Sequence, residues 1–319
     1  MVSESVAILQ LLQTKGFGPR SLDRVLTVLG HEEHTLQEFI ELDPDEIASK
    51  YALKKDLVES IPDSRQPALE LAEQLEERGI RVVSRLHESY PRRLVKILGD
   101  KAPPVMFMAG NDQLLAKQAA GFCGARDASE EGLRCAAQAS RALARHGVVV
   151  VSGHAQGVDV TTHGASLEAG GTTVFVLPEG ILHFRPRSGL RNLLSQDNNL
   201  VISEFPPRLP WSVANAMQRN RTICALVDAL IVVEAGQTGG TFAAAESALA
   251  LGVPLFVLEF PQPASSALGN AILLQKGGIP LPCLPDREPD LTNLLRAMHL
   301  DKPARVRDAN QPGLFDHLE

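Results

Sequence analysis

An alternation that begins at Val105 constrains this chain more than any other feature. Uninterrupted apolar runs fall at Val105–Met108, Gly121–Cys123, Val148–Val151, Thr173–Leu177, Leu200–Ile202, Ala229–Val233 and Pro254–Leu258. Between them lie segments with helical character, notably Glu130–His146, Asp159–Ala169, Ser212–Ala225 and Thr241–Leu251. Strands without polar alternation are buried on both faces, as in a parallel sheet covered by helices on each side. Strand–helix–strand repeats of this kind require crossover connections of one hand. An α/β fold with a mostly parallel sheet is expected.

The chain before this alternation reads as helical. Val6, Leu9 and Leu12, then Leu22, Val25, Leu26 and Leu29, recur at helical spacing. Between them, Gly16-Phe17-Gly18-Pro19 supplies a glycine turn and a proline suited to the first position of a helix. Such a hairpin is helix-hairpin-helix-like and could offer backbone N–H groups to DNA, but its acidic surroundings favour a packed helical hairpin. A further helix is expected over Pro67–Arg78, ended by Gly79. Tyr90-Pro91 opens a connector with Leu94 and Ile97 on one face, before Ala102-Pro103-Pro104. The expected division is an acidic helical accessory domain over 1–90, the sheet domain over 91–285, and a short C-terminal tail over 286–319. In that tail, Leu291–Met298 reads as a helix.

The 319-residue chain carries a formal charge of −7, which opposes a nucleic-acid partner until it is localised. Residues 1–90 hold 17 acidic and 10 basic side chains, whereas 91–319 hold 21 of each. Within the second part, Arg185, Arg187, Arg191, Arg208, Arg219 and Arg221 face only Asp197 and Glu204 between residues 185 and 221. A patch of this kind collects phosphates even on an acidic chain. Removing residues 1–90 is expected to tighten DNA binding. No stretch reaches the roughly 18 apolar residues of a membrane span, and no secretory cleavage pattern is visible. Cys123, Cys135, Cys224 and Cys283 lack CxxC spacing. They read as small apolar fillers in a reducing cytoplasm, with neither a zinc site nor a disulfide framework expected.

In an open parallel sheet, ligands bind outside the carboxyl ends of the strands. The segments there are Gly124-Ala125-Arg126, then Ser152-Gly153-His154-Ala155-Gln156-Gly157-Val158-Asp159, then Pro178-Glu179-Gly180, and Glu234 through Thr241. Glycine lets a ligand approach the backbone, and a helix N-terminus presents unpaired N–H groups with a partial positive charge. Ser152, Thr238 and Thr241 add hydroxyls. Together these loops read as phosphate sites. Their spacing matches neither the dinucleotide fingerprint nor the Walker loop, and they contain no lysine. No kinase or ATPase mechanism, cofactor or metal cluster is expected.

In this order, the motifs resemble the DNA-processing protein A (DprA/Smf) family. The resemblance rests on Tyr90-Pro91 with Leu94 and Ile97, Pro103-Pro104, Gly124-Ala125-Arg126, and Ser152-Gly153 with Gln156-Gly157-Val158-Asp159 and His163. It continues through Gly170–Val174, Ser203-Glu204-Phe205-Pro206, Arg219-Asn220-Arg221, Glu234-Ala235, Thr238-Gly239-Gly240-Thr241, Gly269-Asn270 and Gly277-Gly278. It covers about 90–283. It implies an extended Rossmann-like fold behind a small N-terminal helical domain, binding to single-stranded DNA, a homodimer, and a recombinase as partner. It also implies a phosphate pocket built on Arg126, Arg219, Asn220 and Arg221. Taken with the loops and the basic patch, the candidate DNA- or phosphate-binding set is Gly124, Arg126, Ser152, Gly153, Gln156, Gly157, Arg185, Arg187, Arg219, Asn220, Arg221, Thr238, Gly239, Gly240 and Thr241. Guanidinium groups pair with phosphate oxygens in a fork that lysine cannot reproduce.

The chain departs from the family pattern at Leu182, Phe184, Gln237 and His154, and its tail is too short for the winged-helix domain of many relatives. These departures fit a divergent member, such as the DNA-sensing or antitoxin partner of a phage-defence or toxin–antitoxin pair. Phe184, Phe205 and Trp211 lie among the arginines and are candidates for base stacking or for the core. Asp159, His163, Glu204, Glu234 and Glu246 are the available acids and bases. Gly239-Gly240-Thr241 followed by Glu246 loosely resembles the loop of LOG-type nucleotide hydrolases, so a nucleotide-binding or nucleotide-cleaving enzyme is the alternative. The favoured reading makes Asp159 a helix cap with His163 packed on the same helix, and assigns no catalytic residue.

Overall fold

A computed structural model describes residues 3–31, 34–284 and 287–298. Every apolar run named above becomes a strand. The strands are β1 (Ile80–Ser84), β2 (Val105–Gly110), β3 (Ala119–Cys123), β4 (Val149–Ser152), β5 (Thr173–Leu177), β6 (Asn199–Ser203), β7 (Ala229–Val232), β8 (Leu255–Glu259) and β9 (Ile279–Pro282). They form one sheet in the order β1-β2-β6-β5-β4-β3-β7-β8-β9. The strands from β3 to β9 pair in parallel, and β2 pairs antiparallel with both β1 and β6. From β3 the chain steps outward to β6 in one direction and then, through β7 to β9, in the other. The connections leaving β3 and β7 therefore diverge, opening a crevice above their carboxyl ends where ligands bind in sheets of this kind.

Helices cover both faces. Arg92–Leu98, Val213–Leu226, Gly240–Ala250 and Asn270–Gln275 bury Leu94, Ile223, Ala245 and Leu273 against Val151, Val176, Leu230 and Val257 on one face. On the other, Glu130–Arg145 and Thr292–Ala297 bury Leu143 and Leu294 against Phe122, Val150 and Ile231. The rest of that face, at Phe107, Phe175 and Val201, is covered by the N-terminal helices through a core that includes Leu9, Leu22, Leu26 and Leu71.

Three expectations are corrected. Residues 1–90 are not wholly helical, because Ile80–Ser84 forms an edge strand paired with β2. The N-terminal helices share their core with the sheet, so deleting residues 1–90 would uncover Phe107 and Phe175 rather than simply remove acidic charge. The connector opened by Tyr90-Pro91 is the helix Arg92–Leu98, with Leu94 and Ile97 facing one core as expected. Finally, Cys135 and Cys283 are not independent fillers. The helix Glu130–Arg145 and the end of β9 bring their Cα atoms to 6.1 Å, and the two are joined as a disulfide; Cys123 and Cys224 are free. The tail beyond Met298, with Pro303, Pro312, Leu314 and Phe315, lies outside the described residues. Among those residues, no helix is long and apolar enough to cross a membrane.

Candidate nucleic-acid interface

The loops after β3 and β4 pack against each other, and glycine makes this possible. A Cβ at Gly124 would collide with Val158, and one at Gly157 would collide with the carbonyl oxygen of Arg126. Gly157 also has φ +81°, a conformation that disfavours other residues. The β3 loop is then tied to β7, since Ala125 N–H donates to the Glu234 carbonyl oxygen at 2.9 Å. The buried Glu234 carboxylate accepts hydrogen bonds from Ser129 N–H (2.9 Å), the Ser129 hydroxyl and the Ser266 hydroxyl (2.6 Å). One carboxylate thus fixes the segment that leads from Arg126 into its helix.

Beneath the loops lies a buried polar layer. Ser152 Oγ donates within reach of the Phe122 carbonyl (2.7 Å) and the Asp159 carboxylate (2.8 Å), which also accepts from Ala155 N–H at 3.1 Å. Asp159 therefore holds the β4 loop, while Gly157 occupies the helix cap position. His163 Nε2–H donates to the Gly153 carbonyl at 2.7 Å, and its Nδ1 lies against the hydroxyl of Thr173, which donates to the Val150 carbonyl at 2.8 Å. Burial pushes the His163 imidazole down to about 3, so it is neutral at physiological pH. Arg219 is only 8% exposed, packs on Gly153 and donates to the Val176 carbonyl. Asp159 and Glu204 supply the negative charge around it, and burial raises the pKa of both carboxyls. Glu204 is satisfied by Thr222 Oγ1 at 2.6 Å and Gln218 Nε2 at 2.7 Å.

Above this layer runs a cleft with two lobes that share Arg126, Ala155, Trp211, Ala216 and Arg219. The first, of about 420 Å³, is lined also by Gly124, Asn220, Gly240 and Thr241. Here begins the helix Gly240–Ala250, whose cap residue Gly239 gives no side-chain acceptor to its first amides. An anion is stabilised at such a terminus. Asn220 Nδ2 holds the Gly240 carbonyl at 3.1 Å. The second lobe, of about 480 Å³, is lined by His154, Gln156, Pro178, Glu179 and Arg187. Arg126 stands between the lobes, its guanidinium carbon 5.7 Å from the centre of the Trp211 ring.

The cleft gathers Gly124, Arg126, Gln156, Arg187, Arg219, Asn220, Gly240 and Thr241 from the sequence-derived set. Gly153 and Gly157 lie outside its lining but pack against Arg219 and the Arg126 carbonyl, respectively. Ser152 is fully buried with its hydroxyl engaged, so it supports the site and does not line it. Arg185 is turned to the carbonyls of Leu182 and Phe184, at 3.0 and 2.7 Å. Arg221, Thr238 and Gly239 are outside the lining of either lobe. Of the aromatics, Phe205 is core and Phe184 packs on His154 and Phe175, while Trp211 is 45% exposed. Glu179 also lines the second lobe, and a lone glutamate in a turn gives no sequence pattern from which to expect it there. No group of acidic, histidine or cysteine side chains suited to a metal ion occurs among the described residues.

The family model described as DNA recombination-mediator protein A matches residues 81–284, well over half of the chain. The chain belongs to this family. The match begins inside β1, so that edge strand is part of the region the DNA recombination-mediator protein A family shares. DNA processing protein DprA of Bacillus subtilis is 30% identical over 203 residues, 63% of this chain and 68% of that protein. Protein Smf of Escherichia coli is 32% identical over 215 residues, 66% of this chain and 56% of that protein. The chain thus aligns with between about half and two thirds of the length of these relatives. Among solved structures, DNA processing protein A of Streptococcus pneumoniae superposes with a TM-score of 0.69 at 26% identity. It covers 88% of this chain and 95% of its own, so the shared fold reaches beyond the region of the family model. DNA processing protein A of Helicobacter pylori, described for its single-stranded DNA binding mode, gives a TM-score of 0.55 at 24% identity, covering 69% and 94%. At that identity the likeness is one of fold.

Proposed function

We propose that this chain binds single-stranded DNA along the two-lobed cleft and acts in DNA processing during recombination in the cytoplasm. The observation that carries this reading is the convergence of Arg126, Arg187 and the open N-terminus of Gly240–Ala250 on one cleft at the switch point of the sheet. Guanidinium groups and helix-terminal amides recognise phosphate without reading sequence. Family membership and the single-strand binding of the H. pylori relative point the same way. A homodimer, and a recombinase or a defence-system toxin as protein partner, belong to the same proposal.

The enzyme alternative needs Glu246 beside the Gly239-Gly240-Thr241 loop; Gly240 and Thr241 line the cleft, whereas Glu246 is ion-paired with Lys276 and does not. The test is an anisotropy titration of a labelled twelve-nucleotide thymidine strand across a salt series. Binding that weakens steeply as salt rises is expected. No binding, or binding indifferent to salt, would contradict the proposal.

A further inference from the structure

Glu179 is out of place in a cleft that holds only phosphates. It sits in the second lobe with Arg126, Arg187 and Arg219, yet among the described residues its carboxylate forms neither an ion pair nor a hydrogen bond. Its backbone is held firmly: Ser203 Oγ donates to its carbonyl at 2.6 Å, and the next residue, Gly180, is pressed against the backbone of Pro206 and Pro207. A partly buried carboxylate that repels phosphate and has no internal partner is an acceptor awaiting donors. The same lobe is walled by Trp211, an exposed indole steadied by Arg126. A carboxylate beside an aromatic face is the equipment for a nucleobase.

The donor pattern of the bases selects among them. Thymine offers one N–H flanked by two carbonyl oxygens, which repel a carboxylate. Adenine and cytosine each offer an amino group beside a ring-nitrogen acceptor, so the second carboxylate oxygen meets a lone pair. Guanine alone presents two adjacent donors, N1–H and the N2 amino group, matching both oxygens at once. Resting on the single-strand reading above, we propose that the second lobe is a base pocket that takes guanine, stacked on Trp211 and hydrogen-bonded to Glu179. The adjoining lobe, with Gly124, Gly240 and Thr241, then takes a neighbouring phosphate.

The test uses the full chain and twelve-nucleotide thymidine strands in which one central residue is replaced by guanine, hypoxanthine or adenine; a single guanine avoids quadruplexes. The guanine strand should bind on the order of tenfold tighter than the all-thymidine strand. Hypoxanthine, which lacks the N2 amino group, should lose much of that gain, and adenine nearly all. In Glu179→Gln the preference for the guanine strand over the all-thymidine strand should vanish. Because Glu179 has no side-chain partner among the described residues, this variant keeps the fold. All strands binding wild type equally, or a guanine preference that survives Glu179→Gln, would overturn the base pocket alone. Failure of the all-thymidine strand to bind at all would overturn both this proposal and the reading it rests on.

Discussion

Arg126 lies over the indole ring of Trp211, with 5.7 Å between the guanidinium carbon and the ring centre. An aromatic face holds a cation in place without occupying its N–H donors, so the donors stay available to a phosphate. Arg219 is placed differently. It is buried, bonded to the Val176 carbonyl, and surrounded by the charges of Asp159 and Glu204. Two arginines that the sequence offers as equals are therefore placed differently, one opening on the cleft and one holding its floor.

That contrast is measurable. Arg126→Ala should weaken single-strand binding by about tenfold, a contribution typical of a charge-assisted contact. Its unfolding curve in denaturant should match that of wild type. Arg219→Ala leaves Asp159 and Glu204 without their cation and should lower stability by about 3 kcal/mol. Urea unfolding of the two variants separates the roles.

Stability should fall on acidification through His163. Its folded-state pKa of about 3 lies below the unfolded value near 6.5, so between these pH values the unfolded chain binds the extra proton. The stabilisation from neutral His163 is present above pH 6.5 and is lost progressively as pH falls towards 3. Burial of Asp159 and Glu204 raises their pKa values and acts in the opposite sense, favouring the fold at low pH. Comparing wild type with His163→Gln isolates the imidazole. Denaturation midpoints at pH 7 and pH 5 should converge in the variant.

Gly157→Ala tests whether the paired loops position Arg126. The new methyl group would meet the Arg126 carbonyl at a backbone angle that alanine rarely adopts, costing about 1 kcal/mol or more. Single-strand affinity should drop even though residue 157 is outside the lining of the cleft. Unchanged affinity would show that the loop can shift without moving the arginine.

The disulfide between Cys135 and Cys283 spans 148 residues of chain. Cross-links of this kind stabilise by about 2–4 kcal/mol. Dithiothreitol should therefore lower the thermal midpoint of wild type, and leave that of Cys135→Ser/Cys283→Ser unchanged. Mass spectrometry under non-reducing conditions should show the link in oxidised protein.

Much of the sheet was legible because each buried parallel strand is an apolar run set off by a helix, as at Val105–Met108 and Thr173–Leu177. The two edge strands were not. In β1 the exposed Arg81 breaks the run, and β9 contains Pro280 and Pro282, which are disfavoured inside a sheet. At the edge, proline is tolerated because one side of the strand needs no partner. The glycine loops pointed to the cleft because their positions follow the strand ends. The opposite fates of neighbouring Arg219 and Arg221 were hidden, since successive helical residues point in different directions and only packing decides which faces inward. The cysteine pair was hidden for a similar reason: only the folded sheet brings Cys135 near Cys283.

The salt dependence of single-strand binding tests the cleft most directly. Measured for wild type and for Arg126→Ala/Arg187→Ala, the slope of log affinity against log salt should become shallower by about 1.4 in the double variant, roughly 0.7 for each lost phosphate contact. A double variant that binds with the wild-type slope would place the DNA elsewhere on the molecule and contradict the cleft as its site.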